Sequence, residues 1–303
     1  MKSDAGGLAR ASSRPQRSRV PWALAVTVGL CSGLAGYVIH AARVNRVPKQ
    51  VVTVKRLTDM AGPEETPAIS PSGKAVAFVA ISGGKRQIWV VPLDGGGPQA
   101  LTKDDVDHFD PRWAPDSKSL IYFANNTIWE IAAAGGDARK LVDALGPGDL
   151  SRDGKLAFFR RDGDGVELMV DGRTVAKLPG SGTYSNLRWS PDDKKIAYLQ
   201  DMKVMVVSAS GGDPIEAAQG LTVQGFAWAP DNSGLIVSSI ASTRGELWFV
   251  PRVEGRTPWQ LTFGELSYES PDISPAGSLV VSRRGLSGQA SDADIVMFSG
   301  LKW

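Results

Sequence analysis

The chain has 303 residues, 42% hydrophobic residues and a formal net charge of +2. Its first 50 residues hold eight basic and one acidic side chain, so residues 51–303 carry a net charge of −5. This distribution argues against a nucleic-acid-binding domain, which would present a basic face on the folded part.

The first 50 residues predict a tail, a membrane helix and a linker. Residues 1–19 are polar and rich in Ser and Arg, which predicts a disordered basic tail. Residues 20–39 contain no charged side chain, a length sufficient to span a bilayer as a helix. We predict a transmembrane helix over residues 20–42 and a linker over residues 43–50. A cleaved signal peptide is the alternative, although no good small-residue cleavage site follows the apolar run.

The membrane segment also raises questions of orientation and association. Five basic residues lie on either side of it, so the positive-inside rule is balanced. We favour a cytoplasmic N-terminus, because an N-terminal apolar segment normally acts as an export signal. This predicts a single-pass inner-membrane protein with its C-terminal part in the periplasm or outside the cell.

Ala25, Gly29 and Gly33 share one helix face, which predicts a homodimer contact. The only cysteine, Cys31, leaves no disulfide within the chain.

Residues 51–303 contain six copies of one short pattern. Each copy has an apolar residue, then Ser or Ala, usually Pro, a polar turn and an apolar run. Their third positions, spaced by 37 to 45 residues, are Pro71, Pro115, Arg152, Pro191, Pro230 and Pro275. A period near 40 with strand-like content is typical of a β-propeller with one four-stranded blade per repeat.

The chemistry of each copy predicts a turn between two antiparallel strands. Pro presets φ for the second turn position, and the fourth position favours residues that accept a positive φ. Gly73, Gly154 and Gly277 meet that demand. The apolar runs that follow are apolar on both faces, as in strands whose sheet is covered on both sides.

The last repeat lacks its fourth strand, and a matching segment lies before the first repeat. Residues 51–58 read VVTVKRLT, which fits the fourth-strand pattern. We predict that they pair with residues 294–298 and close the ring, which removes two exposed sheet edges. The predicted fold is an all-β, six-bladed β-propeller over residues 51–303, closed by its N-terminal strand and preceded by one transmembrane helix.

These repeats resemble those of the TolB-like six-bladed β-propellers, which carry a Ser-Pro-Asp-Gly-Lys turn and are related in style to WD repeats. The resemblance covers residues 51 to about 298. The third repeat departs from it at Arg152, where the others have Pro. The resemblance implies association with the cell envelope and does not name a partner.

Acidic side chains recur in the loops that enter the first strand of each blade, and these loops are predicted to share one face around the central channel. Two arginines precede Trp113 and Trp189 in predicted first strands, near the channel mouth. The candidate binding residues are Glu65, Asp107, His108, Asp110, Arg112, Arg188 and Glu269. The acidic group predicts docking of a basic partner or a cation, and the arginines predict binding of an anionic group or a peptide carboxylate. Ordinary solvated loops, with the arginines paired to these acids, are the alternative.

The sequence contains no catalytic signature of a common hydrolase. It has no Gly-x-Ser-x-Gly, His-Glu-x-x-His or Cys-x-x-Cys motif and no phosphate loop. We therefore predict a membrane-anchored, non-enzymatic propeller that binds a protein or peptide in the bacterial cell envelope, without metal or cofactor. Two alternatives remain: an extracytoplasmic sensor module of a membrane regulatory system, and a propeller enzyme such as a lactonase. The latter needs metal ligands in the channel.

Overall fold

The computed structural model describes residues 52–240, 244–253, 255–285 and 293–301. The predicted tail, transmembrane helix and linker lie outside the described residues, as do Cys31 and the predicted dimer face at Ala25, Gly29 and Gly33. Among the described residues no helix is both long and apolar enough to cross a membrane.

The described residues form 24 β-strands that hydrogen-bond into six four-stranded antiparallel sheets. The chain enters through β1 (Thr53–Arg56). Blade 1 contains β2 (Glu64–Ile69), β3 (Ala75–Ser82), β4 (Lys85–Pro92) and β5 (Gln99–Ala100). Blade 2 contains β6 (Phe109–Trp113), β7 (Ser119–Ala124), β8 (Thr127–Ala132) and β9 (Arg139–Asp143). Blade 3 contains β10 (Asp149–Leu150), β11 (Leu156–Asp162), β12 (Gly165–Val170) and β13 (Arg173–Leu178).

The second half of the propeller repeats this arrangement. Blade 4 contains β14 (Tyr184–Trp189), β15 (Lys195–Gln200), β16 (Lys203–Ser208) and β17 (Ile215–Glu216). Blade 5 contains β18 (Val223–Trp228), β19 (Gly234–Ile240), β20 (Gly245–Pro251) and β21 (Trp259–Gln260). Blade 6 contains β22 (Ser267–Ile273), β23 (Leu279–Arg284) and β24 (Ala293–Ser299), with β1 as its outer strand.

Blade 6 is completed by the N-terminal strand, which confirms the predicted closure. β1 pairs antiparallel with β24, from Thr53 opposite Ser299 to Arg56 opposite Val296. The strand order in this sheet is β1-β24-β23-β22. The first and last parts of the described chain therefore share one sheet, and β24 is paired on both sides instead of being left as an open edge.

A buried carboxylate holds the segment after β1 in place. The side chain of Glu64, which is fully buried, accepts hydrogen bonds from the Met60 amide at 2.8 Å, the Ile295 amide at 3.0 Å and the Thr58 hydroxyl. Burial raises the pKa of Glu64, and these hydrogen bonds oppose that rise. One side chain thus ties together the first strand of blade 1, the third strand of blade 6 and the connection between β1 and β2.

The turn chemistry also agrees with the prediction. The fourth turn position has a positive φ in every copy: Gly73, Ser117, Gly154, Asp193, Asn232 and Gly277. In the first copy the Ser70 hydroxyl accepts hydrogen bonds from the amides of Lys74 and Ala75, each at 3.1 Å. This contact closes the turn at the point where the inner strand leaves the channel.

The core lies between the blades rather than at one centre. Phe159 of blade 3 and Tyr198 of blade 4 meet edge to face, with ring centroids 5.5 Å apart. The indole of Trp113 donates a hydrogen bond of 2.9 Å to the Ala68 carbonyl of the preceding blade. Such contacts fix the position of each inner strand relative to its neighbour, and so the positions of the side chains that line the channel.

Candidate functional site

One position near the end of each inner strand contributes to a shared cavity. It is the position immediately before the apolar residue that opens each repeat. We call these residues the channel ring: Ala68, Arg112, Asp149, Arg188, Ala227 and Asp272. Together with the turns that follow them, they line a cavity of about 200 Å³. Because all six blades contribute, the cavity lies on the axis of the propeller.

The ring carries two positive and two negative side chains, placed in alternation over blades 2, 3, 4 and 6. Arg112 is 4% exposed, and its Nη1 atom lies 3.6 Å from Oδ1 of Asp272. That distance is too long for a hydrogen bond. Blade 1 has the small Ala68 at the intervening position, which leaves room for this contact between blades 2 and 6. Neither Nε nor Nη1 of Arg112 has a hydrogen-bond partner among the described residues.

Both ring carboxylates also connect neighbouring blades. Asp149 accepts a hydrogen bond of 2.8 Å from the Trp189 amide, and Asp272 accepts one of 2.8 Å from the Ile69 amide. Burial is the largest influence on both carboxyl groups and raises their pKa values, that of Asp149 to about 7. The charge of Arg112 acts in the opposite direction on both. Asp272 therefore faces both Arg112 and a backbone amide, whereas the contact shown for Asp149 is with a backbone amide.

Arg188 is the ring arginine that has neither an ion pair nor a carboxylate contact among the described residues. It is 7% exposed, and its Nη1 atom donates a hydrogen bond of 2.7 Å to the Leu187 carbonyl. Its buried Nε atom has no hydrogen-bond partner, and no carboxylate of the described residues forms an ion pair with it. A buried cation without a counter-charge is costly, because the protein replaces little of the solvation that the charge has in water.

A second polar layer lies two positions before the ring. Thr66, Asp110, Asn186 and Ser270 all have a positive φ, between 46° and 49°, at bulges of the inner strands. Burial raises the pKa of Asp110. Thr66 Oγ1 and Asn186 Oδ1 are buried without a hydrogen-bond partner among the described residues. Strained backbone of this kind is concentrated at binding and catalytic sites.

Blade 5 shows how closely this second layer converges. Gly225 occupies its equivalent position, and a Cβ atom there would lie 3.2 Å from Cα of Ser270 and 3.4 Å from Nδ2 of Asn186. Blades 4, 5 and 6 therefore meet at Gly225, where a larger residue would force the neighbours to move. The second layer narrows the channel below the ring.

Three of the predicted site residues instead converge on Arg86. The carboxylate of Glu65 lies 3.1 Å from Nε of Arg86, and Asp107 accepts a hydrogen bond of 2.8 Å from the Arg86 amide. His108 is buried, with Nδ1 3.2 Å from the Arg86 carbonyl and its ring centroid 5.0 Å from that of Tyr122. These contacts join blades 1 and 2. The side chains that the sequence placed on a docking face therefore already have partners within the protein.

The structure separates the predicted acidic residues from the predicted arginines. Of the seven predicted residues, only Arg112 and Arg188 line the cavity. Glu269 pairs with Arg284 at 3.5 Å, at the beginning of β22 rather than at its end. Glu65 lies three positions before the ring residue Ala68, on the other side of the bulge in β2. The arginines lie at the turn end of the inner strands, and the acids lie at the other end.

No metal-binding cluster is visible in the part of the chain that the structure describes: no three His, Cys, Asp or Glu side chains come together as ligands would. Asp107 and His108 both contact Arg86, and Asp110 belongs to the channel layer below the ring. These three residues therefore do not come together as ligands of a metal ion.

Sequence reasoning missed the role of Asp149 and Asp272. Neither aspartate is among the seven candidate binding residues that the sequence indicated. The signal was present in the repeats, since the position before each repeat's first apolar residue reads Ala, Arg, Asp, Arg, Ala, Asp. Aligning the six copies one residue further back would have identified the whole ring.

Comparison with known proteins supports the fold. No protein-family model matches the chain. It is 26% identical over 145 residues to the uncharacterized protein Atu1656 of Agrobacterium fabrum, which covers 48% of this chain and 42% of the relative. It is 23% identical over 213 residues to the uncharacterized peptidase YuxL of Bacillus subtilis, which covers 63% of this chain and 31% of the relative. The chain thus spans less than half the length of these curated relatives.

A solved structure gives the same result at the level of architecture. TolB from Acinetobacter baumannii superposes with a TM-score of 0.54 at 15% identity, over 78% of this chain and 64% of that protein. The predicted TolB-like, six-bladed β-propeller is therefore confirmed as a fold. A fold of this kind accommodates many functions, so function must be argued from the channel.

Proposed function

We propose that this chain is a non-enzymatic binding protein of the bacterial cell envelope, whose propeller takes a charged segment of a protein or peptide partner into its axial cavity. The observation that carries the proposal is Arg188, a buried guanidinium in the cavity without a counter-charge among the described residues. The unpartnered atoms of Arg112, Thr66 and Asn186 add further donors and acceptors in the same channel. Buried polar groups without partners are rare in folded proteins, and a bound partner is one way to satisfy them.

The size of the cavity favours a short segment over a small-molecule substrate. Its volume of about 200 Å³ is below the roughly 300–1,000 Å³ typical of small-molecule pockets. A side chain or a chain end fits such a space, whereas the rest of the partner would rest on the surrounding turns. The absence of catalytic motifs from the sequence supports binding rather than chemistry.

Photo-crosslinking in the intact cell tests the binding proposal. Arg152 is exposed and lines the cavity rim, so a photoreactive phenylalanine at this position should give one discrete crosslinked partner. Lys177, on the outer strand of the same blade and 76% exposed, is the matched control position and should not capture that partner. The same adduct from both positions, or no adduct from Arg152, would contradict binding at the cavity.

The proposed location is the outer side of the inner membrane, with residues 20–42 as a single-pass anchor that also pairs two copies. The uncharged apolar run of residues 20–39 and the helix-face spacing of Ala25, Gly29 and Gly33 support this proposal. A C-terminal reporter that is active only after export should be active, and the mature protein should retain residues 1–19. Reporter activity confined to the cytoplasm would reject the orientation, and loss of the N-terminus near Ala42 would reject the anchor.

A further inference from the structure

We propose that Arg188 binds a carboxylate group of the partner, and that the carboxylate is the free C-terminus of a peptide. The inference rests on the proposed function and names the chemistry of the group that enters the cavity. It begins from the charges of the ring. Asp149 and Asp272 are both influenced by the charge of Arg112 and both accept backbone amides, whereas neither pairs with Arg188. The ring holds equal numbers of positive and negative side chains, but no carboxylate of the described residues pairs with Arg188, so this guanidinium is the one that an entering carboxylate would pair with.

The free edge of Arg188 has the geometry that a carboxylate requires. Nη1 is engaged by the Leu187 carbonyl, whereas Nε and Nη2 form no hydrogen bond with any described residue. The N–H groups of Nε and Nη2 lie parallel along one edge of the guanidinium. This edge accepts the two oxygens of a carboxylate in a bidentate pair, the strongest arrangement available to arginine.

The charge of the site favours a carboxylate over a phosphate. A carboxylate carries one negative charge, enough to form an ion pair with Arg188. A phosphate monoester carries up to two, and the second would lie in the same cavity as the carboxylates of Asp149 and Asp272. Like charges at such short range in a buried site oppose binding.

Asn186 indicates that the carboxylate is attached to a peptide. It lies two residues before Arg188 on β14, and its buried Oδ1 atom has no hydrogen-bond partner among the described residues. An amide N–H next to a carboxylate is what the last residue of a peptide offers. A simple organic acid supplies no such donor and would leave Oδ1 of Asn186 unpaired.

Binding of small probes to the full chain, purified in detergent micelles, tests the inference. The probes are N-acetyl-Ala-Ala with a free carboxylate, the same dipeptide as its C-terminal amide, and acetate. The free-acid dipeptide should bind at least about tenfold more tightly to the native chain than to Arg188→Gln, because the variant loses the charged pair. Arg139→Gln, which changes a 72% exposed arginine on the outer strand of blade 2, should bind like the native chain. The C-terminal amide should not bind measurably.

A measurement without ligand separates a binding role from a structural one. If Arg188 has no ion-pair partner until a ligand binds, Arg188→Gln should melt at the same temperature as the native chain or above it. The free-acid dipeptide should then raise the melting temperature of the native chain alone. A marked fall in the melting temperature of the variant without ligand would assign Arg188 to the structure and overturn the inference.

The remaining outcomes show whether the carboxylate belongs to a peptide or to a simple acid. They also separate failure of the carboxylate inference from failure of the proposed function. Acetate binding as tightly as the dipeptide would retain the carboxylate site and overturn the peptide terminus. Equal binding of the dipeptide to the native chain and to Arg188→Gln would overturn the site itself. If the partner captured at Arg152 is captured equally by a chain with Arg188→Gln, the carboxylate inference fails while the proposed function stands. If no partner is captured, the proposed function fails whatever the probes do.

Discussion

A chain that begins at Gly62 should melt at least about 10 °C below one that begins at Gln50. The shorter chain lacks β1, whose four residues pair with β24 and form the outer strand of blade 6. It also lacks Thr58 and Met60, so the buried Glu64 loses two of its hydrogen-bond donors. β1 itself is exposed, but the apolar side chains that flank it pack against the core, and both these contacts and the strand pairing are lost. Such a loss costs several kcal/mol, and each kcal/mol shifts melting by ~2–4 °C in a domain of this size. Thermal unfolding followed by circular dichroism gives the comparison.

A single substitution gives the same test without shortening the chain. Glu64→Ala removes the acceptor for the Met60 amide and one acceptor for the Ile295 amide, so we expect a loss of about 2 kcal/mol or more. Glu65→Ala is the neighbouring control, since its ion pair with Arg86 is partly exposed and contributes ~0–1 kcal/mol. Equal melting temperatures for the two chain lengths would show that β1 does not close the ring.

The fold was predictable because its determinants are local and repeated. Each turn between the inner strand and the next needs a residue that tolerates a positive φ at its fourth position. The sequence supplies one in every copy, including Ser117 and Asn232. The third repeat has the shortest inner strand, and its sequence also differs from the others, with Arg152 in place of Pro. Its inner strand, β10, has only two residues, and Gly148 immediately before it leaves no room for a Cβ atom, which would lie 2.6 Å from the Ala157 carbonyl.

The site was predictable only in part because it depends on contacts between blades. Arg112 and Arg188 could be assigned to inner strands from their positions before tryptophan, but that position alone does not show that they lie at the opposite end of the strand from the acidic loops. The partners of Asp149 and Asp272 are amides in the next blade, 40 and 203 residues away in sequence. Arg86, which gathers three of the predicted acidic-loop residues, belongs to a second hairpin of blade 1 and carries no recognisable motif. The local sequence around a residue does not show which residue of another blade it will contact.

Between pH 5 and pH 8 the free energy of unfolding should fall as pH rises, and Asp149→Asn should remove part of that fall. Burial raises the pKa of Asp149 from 3.8 to about 7 in the folded protein. The folded chain therefore holds a proton that the unfolded chain releases above pH 3.8. The stability that this proton contributes is complete below pH 3.8 and is lost as pH rises through about 7. One proton accounts for a slope of up to ~1.4 kcal/mol per pH unit.

Asparagine is the appropriate replacement because it is neutral and keeps an oxygen that can accept the Trp189 amide. Asp149→Asn should therefore melt above the native chain, by a margin that grows from pH 5 to about pH 7 and stays constant from there to pH 8. Asp153→Asn is the control: Lys155 and Ser151 lower the pKa of this exposed carboxyl, so its contribution is lost only below the tested range. A native slope that persists unchanged in Asp149→Asn would mean that Asp149 is ionised across the range. The ring would then hold two full negative charges, and a carboxylate entering it would meet Arg188 against stronger repulsion.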